Sequence, residues 1–280
     1  MENNCWQQRW SLKGKTALVT GGSRGLGHAI VEELASFGAI VHTCCLDQTE
    51  LDQSLEEWKR KGFQVTGSVC DVLFKDQRDK LMQTVSSLFQ GKLNILVNAV
   101  GKPPEPKVAT EFSGEDISMA MGINFESAYH LSQLSHPLMK AAGNGSIVFN
   151  SSVAGIMAFP GGSIYSAAKG AINQVTKNLA CEWAKDNIRV NTVAPWITMT
   201  STLKNYLEGF KSKGEYNVEK GIAELIEKTP LRRMGLPNET SSVVAFLCLP
   251  AASYVTGQLL CIDGGFTASG FPISSLLPTN

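Results

Sequence analysis

One turn restricts the folds open to this chain more than any other stretch: TGGSRGLG, from Thr20 to Gly27. Before it, KTALVT reads as a buried strand over Thr16–Thr20. After it, HAIVEELASFG reads as a helix, with apolar residues at helical spacing. The glycines fall at Gly21, Gly25 and Gly27, a G-x-x-x-G-x-G spacing rather than the G-x-G-x-x-G fingerprint. Glycines there let the backbone approach a pyrophosphate. The helix N-terminus adds free N–H groups and the positive end of its dipole. A strand, such a turn and a helix in this order open a parallel α/β sheet that holds a phosphate at its C-terminal edge.

The rest of the chain repeats that alternation. Strands are predicted at Ala39–Cys45, Phe63–Val72, Asn94–Gly101, Gly145–Ser152, Ile188–Pro195 and Gly257–Gly265. Helices are predicted at Glu50–Lys61, Gln77–Phe89, Glu115–Ala141, Ser166–Lys185 and Glu239–Pro250. The fold class is therefore α/β: a single-domain, Rossmann-type, doubly wound parallel sheet of about seven strands with helices on both faces. The predicted organisation is a polar N-terminal arm over 1–11, the domain over 12–270 and a tail over 271–280. A long insertion over about 196–228 is placed as a lid.

Composition removes several classes of function. Twenty-five basic residues balance 25 acidic ones, so no field draws nucleic acid or an anionic membrane surface. No apolar run reaches the ~18 residues that span a bilayer. The opening MENNCWQQRW lacks a secretory or transit signature, so the expected location is cytoplasmic. Seven scattered cysteines without a C-x-x-C pair, and four histidines without ligand spacing, predict no metal site.

The chemistry gathers at SVAGIMAFPGGSIYSAAK, Ser152 to Lys169. Tyr165 and Lys169 stand at i and i+4 and share a helix face. An ammonium beside a phenol stabilises the phenolate and lowers the tyrosine pKa from about 10. Such a tyrosine exchanges a proton with a carbonyl or alcohol oxygen, and Ser152 can hold that oxygen. Asn124 sits inside a predicted helix, where asparagine is mildly unfavourable, which gives its side chain or a kink there a task. Asn98 and Gly101 end a strand at the ligand-binding edge, and Asp71 ends another, placed to accept from an adenine amino group. At the ribose, Cys45 and Leu46 are neutral and Asp47 comes late, whereas Arg24 can meet a 2′-phosphate. Charge thus favours NADP over NAD.

With these pieces in place, TGGSRGLG, CDV, NAVG, Asn124, the Ser152–Tyr165–Lys169 set and the proline after the sixth strand resemble the short-chain dehydrogenase/reductases over nearly the full chain. RWSLKGKTALVTGGSRGLG, GKLNILVN, AYHLSQ and KGAINQVTKNLACEWAKDNIRVN resemble, more narrowly, plant tropinone reductases and tropinone-reductase-like proteins. The resemblance implies an NADP(H)-dependent reduction of ketones to alcohols by a homodimer or homotetramer. Tyr165 becomes the general acid, Ser152 the holder of the carbonyl oxygen, and Lys169 the partner of the nicotinamide ribose. Asn124 becomes the anchor of a water linking Lys169 to bulk. Gly21, Ser23, Arg24, Gly25 and Leu26 wrap the cofactor phosphates. Asp71 and Val72 meet adenine, Asn98 and Gly101 the adenosine side, and Pro195, Ile197 and Thr200 the nicotinamide end. Helices Glu115–Ala141 and Ser166–Lys185 carry the small apolar surface of a four-helix dimer contact, and Val255–Gly265 that of a second.

Three departures from the family pattern stand out. Ala99 replaces the second asparagine of N-N-A-G, Leu46 replaces a 2′-phosphate-binding arginine, and Trp196 replaces the glycine after Pro195. The lid offers Trp196, Met199, Leu203, Tyr206, Leu207 and Phe210, facing Val153, Ala154, Ile156 and Phe159. Together with Ser152 and Tyr165 they predict an apolar, aromatic pocket for a small cyclic alkaloid, terpenoid or aromatic ketone of plant specialised metabolism. The alternative reading is a non-redox cyclase or isomerase that keeps the bound nucleotide as scaffold. A third is a nucleotide-binding regulator without catalysis, which the intact catalytic set argues against.

Overall fold

The computed structural model describes residues 5–201, 203–204 and 218–269. A short helix α1 (Cys5–Arg9) leads into β1 (Thr16–Thr20), α2 (Gly25–Ser36), β2 (Ile40–Cys45) and α3 (Gln48–Arg60). Then come β3 (Val65–Val69), α4 (Lys75–Leu88), β4 (Ile95–Asn98) and α5 (Gly114–Met121). Next follow α6 (Ser127–Ala142), β5 (Gly145–Asn150), α7 (Ser163–Trp183) and β6 (Ile188–Pro195). The chain closes with α8 (Val218–Lys228), α9 (Pro237–Cys248) and β7 (Leu259–Ile262).

All seven strands pair in parallel, in the order β3-β2-β1-β4-β5-β6-β7. Order reverses between β1 and β4, so a crevice opens beyond the C-terminal ends of those strands, where ligands of such sheets bind. Alternate strand residues serve opposite faces. Leu18, Leu96, Ile147, Phe149 and Val190 pack with Leu81, Val85, Leu131 and Leu179 on one face. Ala17, Val19, Val97, Val148 and Val193 pack with Ile30, Leu34, Val244 and Leu247 on the other. Both faces are dry because each is covered by helices, which is why the strands read as continuous apolar runs.

Predicted elements and observed ones differ where side chains intervene. The single helix expected over Glu115–Ala141 is two, joined by a π turn at Gly122–Glu126 that contains Asn124. The strand expected to run to Val72 stops at Val69, because Asp71 turns back: its Oδ1 accepts from the backbone N–H of Leu73 at 2.9 Å. The helix that carries Tyr165 and Lys169 starts earlier than expected, at Ser163, which puts Tyr165 in its first turn. At the N-terminal end, Leu12 is buried and Trp10 packs on Phe246 with ring centroids 6.2 Å apart. Among the described residues no helix is long and apolar enough to cross a membrane. Tyr206, Leu207 and Phe210 of the lid, and the tail over 271–280, lie outside the described residues.

Candidate active site

The glycine turn is fastened to its neighbours through the backbone. The N–H groups of Gly21 and Gly22 both donate to the carbonyl of Cys44, at 2.8 and 3.1 Å. A Cβ on Gly22 would lie 2.0 Å from Thr43 Oγ1, and one on Gly27 would lie 2.1 Å from the Gly21 carbonyl oxygen. No other residue fits at either place. Helix α2 begins at Gly25 with no side chain capping its first turn. Helix α3, by contrast, is capped by Asp47, which accepts from Glu50 N–H. The uncapped N-terminus of α2, with Ser23, Arg24, Gly25 and Leu26 around it, suits the phosphates of a dinucleotide.

Across the switch point, β4 ends at Asn98, whose side-chain nitrogen donates to Ser132 Oγ at 3.3 Å while its Oδ1 is buried without a hydrogen-bond partner. Ala99 N–H and Val100 N–H both donate to Thr20 Oγ1, at 3.1 and 3.3 Å, so the β1 threonine shapes the N-A-V-G corner. Ala99 itself packs against the apolar cluster of one sheet face, which accounts for a small apolar residue there. Val72 is buried and gives its carbonyl to the Arg78 guanidinium at 2.8 Å. Arg78 is itself 1% exposed and also donates to Glu126 in the π turn, so it ties the Asp71–Leu73 loop to the element that carries Asn124.

Asn124 uses its whole amide locally. Oδ1 accepts from Lys102 N–H, and Nδ2 donates to the carbonyls of Lys102 and Ala120, each at 2.9 Å. The extra residue of the π turn aims the side chain across to the loop after β4. A Cβ on Gly101 would lie 3.1 Å from Lys169 Nζ and 3.4 Å from Asn124 Oδ1, so these two polar atoms border one small space beside Gly101. The task the sequence assigned to a mid-helix asparagine is thus to fix this loop against Lys169.

Ser152 follows β5 and heads a short 3₁₀ turn, Val153–Gly155, its Oγ accepting from Ala154 N–H at 3.1 Å. That turn docks on α7 at Lys169. A Cβ on Gly155 would come within 2.8 Å of the Lys169 carbonyl carbon, and Ser151 Oγ donates to the Lys169 carbonyl at 3.2 Å. Asn173 Nδ2 donates to the Gly155 carbonyl at 3.0 Å. The serine loop and the tyrosine–lysine face are therefore locked together by contacts along the helix. Lys169 is 1% exposed, and its Nζ donates to the Asn150 carbonyl at 2.7 Å. Burial lowers its pKa to about 8. Its Nζ lies 5.6 Å from the centroid of the half-buried Tyr165 ring.

At the end of β6, Pro195 is buried. The segment after it bridges to Gly235: Gly235 N–H donates to the Ile197 carbonyl at 3.0 Å, and Met199 N–H to the Gly235 carbonyl at 2.9 Å. Thr200 Oγ1 accepts from Leu203 N–H at 3.1 Å. The Trp196 indole stacks on Phe266, centroids 4.0 Å apart, and donates to Thr229 Oγ1 at 3.1 Å. Of the predicted pocket residues, Phe159 and Met199 are exposed and Leu203 is half-buried. Ile156 and Met157 are exposed as well.

Two participants escape sequence reasoning. Thr20 reads as the last residue of a strand, and Glu50 as one acidic residue on a solvated helix. Glu50 nevertheless reaches the glycine turn, accepting from Ser23 Oγ at 3.1 Å and Arg24 Nη1 at 3.2 Å. Elsewhere, His28, Glu32 and Glu57 bring ligand atoms within 4.8 Å of one another, and Lys61 pairs with both carboxylates.

A family model described as enoyl-(acyl carrier protein) reductase matches residues 21–267. A tropinone reductase homolog of Datura stramonium is 59% identical over 264 residues, 94% of this chain and 96% of its own. The crystal structure of levodione reductase superposes with a TM-score of 0.86 at 28% identity, covering 92% of this chain and 99% of that one. An actinorhodin polyketide ketoreductase variant, solved with NADPH, gives a TM-score of 0.84 at 28% identity, covering 90% and 97%. The glycine turn, the parallel sheet with its switch point and these likenesses agree: this chain belongs to the short-chain dehydrogenase/reductase family, among its tropinone reductase-like members.

Proposed function

We propose that the protein is an NADP(H)-dependent oxidoreductase that interconverts a ketone and a secondary alcohol on a small cyclic alkaloid, terpenoid or aromatic substrate of plant specialised metabolism. The observation that carries this reading is Lys169: an ammonium 1% exposed, on the same helix face as Tyr165 and docked beneath the Ser152 loop. An isolated buried ammonium is costly, and a chain keeps one where the charge has work to do.

In that reading Ser152 Oγ donates to the substrate oxygen and Tyr165 passes it a proton during reduction, or takes one during oxidation. The nicotinamide coenzyme supplies or accepts the hydride when bound. Lys169 lowers the tyrosine pKa through its charge, and the Asn150 carbonyl holds its ammonium in place. Asn124 keeps the loop after β4 against Lys169, so the coenzyme's ribose side and the proton donor share one rigid frame. Ile156, Met157, Phe159 and Met199 are exposed apolar side chains, of a kind that suits a ring with few charges. Ile117 and Met119, exposed on α5, support a helix-face contact in a homodimer or homotetramer. The expected compartment is the cytoplasm.

The test follows NADPH absorbance against a panel of cyclic ketones, tropinone included, with mass spectrometry of each mixture. Coenzyme consumption with an alcohol product is expected, and Tyr165→Phe should lower turnover by about a hundredfold or more. Near-normal turnover in that variant sinks the proton-transfer role. Substrate conversion without a change in absorbance would transfer the assignment to the non-redox cyclase or isomerase.

A further inference from the structure

We propose that Glu50 sets how this chain reads the 2′ position of the coenzyme ribose, by holding the two glycine-turn side chains that a 2′-phosphate would need. The inference rests on the reading that the glycine turn takes the adenosine end of a nicotinamide dinucleotide. In a sheet of this kind the ribose edge lies just beyond the end of β2. The residue there is Leu46, 64% exposed and uncharged. Asp47 next to it spends its carboxylate on the N-terminus of α3, accepting from Glu50 N–H at 2.8 Å. The acidic group that does reach the turn is Glu50. One of its oxygens accepts from Ser23 Oγ at 3.1 Å, and the other from Arg24 Nη1 at 3.2 Å.

Both donors are thus committed to a carboxylate on another element. A phosphate monoester carries about −1.5 to −2 charge at pH 7. To bind, it has to share Arg24 and Ser23 with Glu50 or draw them away, and in either case it lies beside the carboxylate. A 2′-hydroxyl meets no such conflict, since it can donate to Glu50 while Arg24 stays in place. Leu46 supplies no second cation to offset the carboxylate. Glu50 therefore holds NADP(H) affinity below what Ser23 and Arg24 alone would give, and narrows the preference for NADP(H) without reversing it.

Equilibrium titrations of NADPH and NADH into the full chain, read by protein fluorescence, test this directly. Glu50→Gln keeps the size and hydrogen-bonding reach of the side chain but removes its charge. It should raise the NADPH-to-NADH affinity ratio about tenfold, equivalent to about 1.4 kcal/mol. An affinity ratio within about twofold of the parent, with both coenzymes bound and the variant folded by thermal melting, overturns the proposal. Arg24→Ala in the parent chain supplies a second readout that does not require the first variant to fold. Because Arg24 is already held by Glu50, its loss should weaken NADPH by only about twofold, and a loss of about tenfold or more overturns the idea. Failure of the parent chain to bind either coenzyme would overturn the dinucleotide reading itself, and this inference with it.

Discussion

The indole of Trp196 lies flat on the ring of Phe266, with centroids 4.0 Å apart and planes 12° from parallel. Its N–H reaches Thr229 Oγ1, so one side chain ties the end of β6 to the residues after α8 and after β7. Trp196 is thus a structural pin. Trp196→Gly should lower unfolding free energy by about 3 kcal/mol, from lost stacking, lost burial and a lost hydrogen bond. Trp196→Phe keeps the stack and should cost about 1 kcal/mol, matching Thr229→Val. Urea unfolding of the three variants checks the ranking. Equal losses for Gly and Phe would show that the stack contributes nothing.

A second prediction concerns the cost of keeping Lys169 charged. Its folded pKa of about 8 lies below the ordinary 10.5, and burial is the cause. Between those values the unfolded chain binds more protons, so stability rises with pH across that window. Below pH 8 the folded protein carries the full penalty, about 3 kcal/mol from the linkage of pKa to free energy. Lys169→Met removes that penalty, although it leaves the Asn150 carbonyl unpaired. The variant should be at least as stable as the parent at pH 7, lose this advantage by pH 10, and lose activity by about a hundredfold or more. Chemical denaturation at the two pH values decides it. A variant clearly less stable at pH 7 would contradict the burial argument.

The seven-stranded sheet was legible because each strand is buried on both faces and bounded by turn residues, and because TGGSRGLG fixed where the first crossover begins. Tyr165 and Lys169 were legible because helical spacing alone puts them on one face. The π turn was not, since one extra residue in an amphipathic helix leaves its apolar pattern nearly intact around Asn124. Glu50 was not, because its partners lie 26 and 27 residues away and nothing local distinguishes it from a solvated helix acid. The orientation of Trp196 was decided by Phe266 and Thr229, both distant in sequence. Apart from the π turn, what stayed hidden is a side-chain contact between elements, which periodicity does not encode.

Acid stability should depend on His42. It is buried in β2, its ring nitrogens lie 2.8 Å from Thr66 Oγ1 and 3.0 Å from Ser68 Oγ, and burial lowers its pKa to about 4. Between pH 4 and the ordinary value of about 6.5 the unfolded chain binds the extra proton. The stabilisation is therefore complete above pH 6.5 and is lost as pH falls toward 4, to a total of about 3 kcal/mol. His42→Gln does not titrate, so its stability should fall less steeply over that range. Urea midpoints at pH 7 and pH 5 give the answer, and parallel curves for parent and variant would remove His42 from the account.

Arg78 and Glu126 form an ion pair whose two ends differ sharply, 1% and 63% exposed. Solvent screens the glutamate, so Glu126→Gln should cost under about 1 kcal/mol. Arg78→Met should cost about 2 to 3 kcal/mol, because the Val72 and Leu73 carbonyls lose their charged donor inside the protein. Since those carbonyls shape the loop proposed to meet adenine, the arginine variant should also weaken coenzyme binding several-fold. Equal stability losses for the two substitutions would mean that the pair, rather than the carbonyl contacts, is what Arg78 provides.

Gly27 and Gly221 make the sharpest contrast. A Cβ at Gly27 would lie 2.1 Å from the Gly21 carbonyl oxygen and 2.7 Å from its carbon, and both are backbone atoms that cannot turn aside. Gly27→Ala must push α2 off β1 or open the phosphate turn. The expected result is a loss of about 2 to 4 kcal/mol, with coenzyme binding weakened at least tenfold. At Gly221, inside α8, a Cβ meets nothing within 4 Å. Gly221→Ala only reduces the freedom of the unfolded chain, so it should stabilise by about 0.5 to 1 kcal/mol and leave coenzyme affinity unchanged. Thermal melts and NADPH titrations of both variants separate the cases. A folded Gly27→Ala protein with parental affinity would mean that the close approach of α2 to the turn is not needed to hold a dinucleotide.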